Sequence, residues 1–168
     1  ELTQNPNSEI YASDGKTLIW TNSKYQHRHL SLSDTPEVMI DLLTSTEDKD
    51  FWKNDGYSVT GFAHALSGKR GGSTITQQLV KNMRFVGKNI SDKDRKIQEI
   101  AIAINLTKRF SKKQILEAYL NKIGFLESSY GFNTAMYLLY GKDIKKDATS
   151  DLDIAQYATI VGMLQNPT

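Results

Sequence analysis

Three short stretches of the chain gather side chains that can do chemistry. In "STED", Ser45 to Asp48, two carboxylates fall just before the aromatic pair Phe51 and Trp52. A carboxylate against aromatic surface loses water, and desolvation raises its pKa towards the range of a general base. In "GGSTITQQLVKN", Gly71 to Asn82, two glycines precede a hydroxyl-rich turn and a glutamine pair. Glycine lets a backbone approach a ligand closely or adopt positive φ. Ser73 then opens a helix whose free N–H groups favour an anion. Gln77 and Lys81 follow one and two turns later, so Ser73, Gln77 and Lys81 share a face. That face suits phosphate and sugar oxygens. In "DRKIQEI", Asp94 to Ile100, Arg95, Lys96 and Glu99 lie within five residues. They offer either an i, i+4 surface ion pair or two cations for a pyrophosphate beside a second glutamate.

The rest of the composition narrows the chemistry. The chain has 168 residues, no cysteine and three histidines. Thiolate chemistry is excluded, and no His pair has zinc-ligand spacing. No G-x-S-x-G elbow offers a serine nucleophile, and "GGSTITQQ" lacks the Gly-Lys-Ser/Thr ending of a nucleotide P-loop. The net charge of +2 conceals an asymmetry. Between Lys69 and Lys96 eight basic residues face two acidic ones, a local +6, while the remainder carries −4. A cationic centre suits an anionic ligand, although a solvated lysine-rich surface has the same signature. Nucleic acid would account for the charge but not for the glutamates or the hydroxyl-rich helix, so no nucleic acid partner is expected. The apolar run Ile100 to Ile104 is far too short to cross a membrane. The start at Glu1 suggests a segment of a longer protein whose membrane anchor lies elsewhere.

The elements that must hold these groups are mostly helical. Residues 1–32 read as a β-rich opening segment, with a hairpin around Ser13-Asp14-Gly15. From residue 33 onward helical periodicity takes over. A helix beginning near Ser33, Asp34 and Pro36 turns Val38, Met39, Leu42 and Leu43 inward. A second carries Val59, Phe62, Ala63 and Leu66. A third, capped by Ser73, buries Ile75, Leu79, Val80 and Met83. A fourth, Asp94 to Arg109, has an apolar stripe of Ile97, Ile100, Ala101 and Ile104. Capping boxes at Ser111/Gln114 and Ser150/Asp153 open two more, and another spans about Gly131 to Leu139.

The order of the motifs is more specific than any one of them. Glu47-Asp48 with Phe51 and Gly56, then "GGSTITQQLVKN", then "RKIQE", then "ILEAYLN" closely resemble the family 51 peptidoglycan glycosyltransferases. These are the transglycosylase domains of class A penicillin-binding proteins and the monofunctional transglycosylases. The resemblance runs from about Asp34 to Pro167. The opening "IYASDGKTLIW" favours the class A context. The resemblance implies a mostly α, lysozyme-like, two-lobed helical domain with a short N-terminal β element, residues 33–168 forming the catalytic domain. It implies polymerisation of lipid II into β-1,4-linked glycan, with inversion and release of undecaprenyl pyrophosphate. The partners it implies are lipid II, the growing glycan chain, the outer face of a bacterial membrane, a transpeptidase domain in the same chain and moenomycin-type inhibitors.

On that resemblance Glu47 is the base that deprotonates the acceptor 4-hydroxyl, and Glu99 is the second catalytic glutamate. Lys81, Arg95 and Lys96 neutralise the leaving pyrophosphate. Ser73, Thr74, Gln77, Gln78 and Asn82 bind phosphate and sugar groups. No cofactor is required, although Mg2+ or Mn2+ could assist the pyrophosphate. Glu117 and Asn121 are expected to brace neighbouring loops. Phe85 and Val86, with Met83, are candidate lipid contacts. Several positions depart from the motifs: Asn54 stands where a histidine is usual, Gln156 where a glutamate is usual, Leu139-Tyr140-Gly141 where Tyr-Phe-Gly is frequent, and Lys88 and Asn89 occupy a region where a further basic residue is often found. A lysozyme-like glycan-cleaving enzyme shares the helical frame and a catalytic glutamate and stays an alternative. A non-catalytic lipid II or glycan-binding domain is the reading that Asn54 and Gln156 support.

Overall fold

A computed structural model describes residues 9–21, 27–66, 72–83, 91–125 and 129–164. Strands β1 (Glu9–Tyr11) and β2 (Leu18–Thr21) pair antiparallel, with an irregularity between Ile10 and Tyr11. The predicted turn closes the hairpin. Gly15 takes φ 65°, and Asp14 Oδ1 accepts from the N–H groups of Lys16 and Thr17 at 2.9 Å. A 3-10 turn over Leu32–Asp34 leads into seven described helices. They are α1 (Glu37–Glu47), α2 (Val59–Leu66), α3 (Ile75–Asn82), α4 (Asp92–Arg109), α5 (Lys112–Lys122), α6 (Phe132–Tyr140) and α7 (Asp151–Met163). The domain is mostly helical, in keeping with the lysozyme-like architecture.

The core joins α1, α3, α5, α6 and α7. Met39 and Leu43 meet Ile75, Leu79, Ile115, Leu116, Tyr119 and Leu120, with Phe132, Met136, Tyr157 and Ile160 behind. Among the described residues, α2 and α4 contribute none of this cluster. They sit to one side, α4 packed chiefly along α3. Local chemistry fixes several ends as expected. Ser111 with Gln114 and Ser150 with Asp153 both form complete capping boxes.

Two expectations change. The first helix is not capped by Ser33 or Asp34, which belong to the 3-10 turn; Pro36 holds the N-cap position. Proline there sacrifices no N–H that the helix would use. The second change concerns α4. Ile97 is 55% exposed and Ala101 is also exposed, while Glu99 and Ala103 are buried. A buried glutamate, accompanied by Lys96, takes the inward face, so Ile97 and Ala101 turn out while Ile100 and Ile104 are half-buried.

The segment before α1 is stapled to α5. Asn121 Oδ1 accepts from Leu30 N at 2.8 Å, and Asn121 Nδ2 donates to Leu30 O at 2.8 Å. Glu117 Oε2 accepts from Leu32 N at 2.9 Å. These are the bracing roles expected of Glu117 and Asn121.

Candidate functional site

Glu47 is the last residue of α1, and Asp48 is its C-cap. The α3 helix begins opposite them. Its N-cap is Thr74 rather than Ser73, in a capping box with Gln77. Thr74 Oγ1 accepts from Gln77 N at 3.1 Å and donates to Gly56 O at 2.7 Å, while Gln77 Oε1 accepts from Thr74 N at 2.9 Å. Thr74 is therefore sealed into the fold, 2% exposed. Its hydroxyl is engaged within the fold, and Thr74 does not line the cleft that Glu47 lines. Gln77 is likewise buried, though it still borders the cleft.

The predicted glycine role holds at Gly72, whose φ is 82°; Gly71 lies outside the described residues. A side chain at Gly61 would place its Cβ 1.8 Å from Gly72 O, so α2 crosses directly over this backbone. Both glycines are needed for Ser73 to sit where it does.

A cleft of about 520 Å³ opens between these parts. Glu47, Ser73, Gln77, Gln78, Lys81, Asn82 and Glu99 line it, together with Thr46, Gly72, Ile123, Gly124 and Leu164. On one wall Gln78 Nε2 donates to Glu47 Oε2 at 2.8 Å. Gln78 Oε1 in turn accepts from Tyr119 Oη at 2.8 Å. On the other wall Lys96 Nζ donates to Ser73 Oγ at 2.8 Å and lies 3.4 Å from Glu99 Oε2. Glu99 is 5% exposed, and a carboxylate that deep needs its cation. Lys81 is exposed and has no ion-pair partner among the described residues. Asn82 Nδ2 donates back to Gln78 O at 2.8 Å.

Arg95 does not join them. Its Nη2 donates to Asp92 Oδ1 at 2.8 Å on the exposed side of α4. One residue is a rotation of about 100° on a helix, enough to separate Arg95 from Lys96. Phe85 and Val86 lie outside the described residues, as do Lys88 and Asn89. A second, larger groove of about 870 Å³ involves Leu32, Ile40, Trp52 and Phe110 and contains none of the predicted site residues.

Behind Glu47 lies a polar cluster that sequence reasoning missed. Asp48 Oδ2 accepts from Ile75 N, the first amide of α3, at 3.0 Å. Asn54 Nδ2 donates to both Asp48 oxygens at 3.0 and 3.1 Å. Asn54 Oδ1 accepts from Lys112 Nζ and from Gly56 N, each at 2.9 Å. Burial pushes the Asp48 carboxyl above its usual value, and Asp50 adds to this. The Ile75 amide, Asn54 and Lys112 act against it. Burial also pushes Tyr119 up, reinforced by the charges of Glu47 and Asp48, so its hydroxyl stays protonated and donates. Tyr119 was legible only as a core position. Its signal was that a fully buried tyrosine hydroxyl must find a partner.

Among the described residues no three His, Asp or Glu side chains converge on a common point. Glu99 is occupied by Lys96. The described residues around Glu99 do not fit a protein-held Mg2+ or Mn2+. No helix among the described residues is long and apolar enough to cross a membrane.

The helical domain thus sets one hydrogen-bonded carboxylate, Glu47, in the same cleft as Lys81, Ser73 and the Lys96-paired Glu99. A family model described as Transglycosylase matches residues 14–168, and the chain belongs to that family. It is 34% identical to penicillin-binding protein 1A of Vibrio cholerae over 95% of the chain and 19% of that protein. It is 34% identical to penicillin-binding protein 1A/1B of Bacillus subtilis, over 96% of the chain and 18% of that protein. Penicillin-binding protein 1A of Mycobacterium tuberculosis is 33% identical over 100% of the chain and 21% of its own length. The chain thus spans about a fifth of the curated relatives it matches.

Proposed function

We propose that this domain polymerises lipid II into β-1,4-linked peptidoglycan. Glu47 takes the proton from the 4-hydroxyl of the acceptor sugar. That oxygen attacks the anomeric carbon of the growing chain, and the bond to the undecaprenyl pyrophosphate breaks. The donor is α-linked, so a single in-line displacement gives the β product without an enzyme nucleophile. Gln78 holds the Glu47 carboxylate towards the cleft. Lys81 and Lys96 offset the charge that grows on the departing pyrophosphate, in a site where water is largely displaced. Ser73 and Asn82 orient phosphate and sugar oxygens, and Glu99 anchors Lys96.

One observation carries the reading: Gln78-held Glu47, Lys81, Ser73 and Glu99 border the same cleft, and Lys96 reaches it through its contacts with Ser73 and Glu99. A lysozyme-like cleaving enzyme would use a carboxylate but has no need for lysines at a leaving pyrophosphate. The lipid-linked substrate implies work at the outer face of a bacterial membrane. The relatives are penicillin-binding proteins, and a transpeptidase domain in the same protein belongs to this reading. A cleft of this kind is expected to bind moenomycin-type inhibitors. The test is polymerisation of lipid II in vesicles by wild type and Glu47→Gln. Loss of the base should slow transfer by roughly 10²- to 10⁴-fold. A mutant that polymerises at the wild-type rate would remove Glu47 from that role. Lipid II bound but never polymerised by wild type would leave a binding domain.

A further inference from the structure

We propose that Asn54 and Lys112 are positioning residues for the transfer reaction, a clamp that holds the Asp48 carboxylate on the first amide of α3. The inference rests on the transferase reading above. Asp48 follows Glu47 directly in the chain and is hydrogen bonded to Ile75 N, so one carboxylate ties the end of α1 to the start of α3. Those are the two elements that bring Glu47 and Gln78 to 2.8 Å. Drift between them would lengthen that contact.

The clamp is fully engaged. Asn54 spends its amide N–H groups on both oxygens of Asp48 and its carbonyl on Lys112 and Gly56. The Lys112 ammonium also lies 4.7 Å from the centre of the Phe51 ring, which is fully buried. Neither residue borders the cleft, so both act through Asp48 rather than on substrate. Burial works against the ionised form of Asp48, and the Lys112 charge offsets it. The other charges near this centre are Asp50 and Glu47 beside Asp48 and Asp55 acting on Lys112, and the Tyr119 hydroxyl from α5 faces it in neutral form. Lys112 is the one cation among these neighbours. Without it, Asp48 takes up a proton at higher pH and its hold on the Ile75 amide weakens.

The test compares the full chain as wild type, Lys112→Met, which keeps the apolar stem, and Asn54→Leu, which keeps the branched shape without the polar atoms. Two readouts are taken: the pH profile of lipid II polymerisation in vesicles, and the titration of the Asp48 carboxyl by NMR. In both variants the Asp48 titration should move up by about one pH unit. The acid limb of kcat should move with it, and kcat should fall roughly tenfold or more while KM holds. An unmoved Asp48 titration in both variants would overturn the clamp. A moved titration with an unmoved acid limb would overturn its part in the reaction. A wild type that makes no polymer, yet whose variants move Asp48, would strike the transferase reading and reduce the clamp to a structural tie.

Discussion

Removing a single oxygen atom, by Tyr119→Phe, should damage the reaction out of proportion to the fold. Tyr119 is fully buried, and its hydroxyl donates to Gln78 Oε1 at 2.8 Å. That bond fixes which end of the Gln78 amide faces Glu47. With the carbonyl given to Tyr119, the amide nitrogen must face the carboxylate, where it donates at 2.8 Å. Phenylalanine fills the same space in the core, so no cavity of note opens. The stability cost is one buried hydrogen bond, about 1–2 kcal/mol. For a domain of this size that is a fall in Tm of about 2–4 °C per kcal/mol. The amide is then free to turn and present its carbonyl to Glu47, which repels the carboxylate. A loss of about 1.4 kcal/mol from transition-state stabilisation is tenfold in rate. We expect kcat on lipid II to drop about tenfold with KM unchanged, and the melting curve to remain cooperative. If kcat holds while Tm falls, Tyr119 is a core residue alone and the relay through Gln78 has no catalytic weight.

Two further outcomes follow from the same geometry. Thr74→Ser keeps the hydroxyl that caps α3 and bonds Gly56 O, whereas Thr74→Ala should cost about 2 kcal/mol in denaturant unfolding; if serine is as damaging to polymerisation as alanine, the hydroxyl is not what matters. His27 is held below the ordinary histidine value of 6.5, chiefly by burial, while its contact with Asn121 O acts the other way. Below pH 6.5 the unfolded chain therefore binds more protons than the native one, so stability rises with pH through that window and is lost as pH falls. Denaturant midpoints between neutral and mildly acid pH should show that slope, and His27→Gln should flatten it; a slope left unchanged would assign it to another group.

The sequence made local features readable and tertiary ones much less so. Capping boxes at Ser111 and Ser150 involve partners three residues away, and both form as expected. The cap of α3 shifted by one residue because Ser73 and Thr74 are chemically alike, and only the distant Gly56 carbonyl distinguishes them. The α4 stripe was misjudged because apolar periodicity assumes that charges face water. Glu99 is inside because a lysine goes with it. Arg95 and Lys96 looked equivalent as neighbouring cations, yet a helix sends them to different sides. The clamp on Asp48 spans 58 residues between Asn54 and Lys112, and no spacing rule connects such a pair. Asn54 was noticeable only as a departure from a motif, without a reason attached.

Helix α5 began as scaffold, but its side chains suggest something closer to a gauge. Lys112 reports on Asn54, Tyr119 on Gln78, Glu117 on Leu32, and Asn121 on Leu30. Four readings are thus taken from one rod of eleven residues. Inserting a single residue between Lys112 and Glu117 would rotate one set against the other by about 100°. The hydrophobic core could repack around such a change, but Glu47, Gln78 and Asp48 would no longer share a common reference. The register of this helix, more than the identity of any one residue on it, sets the tolerance of the site.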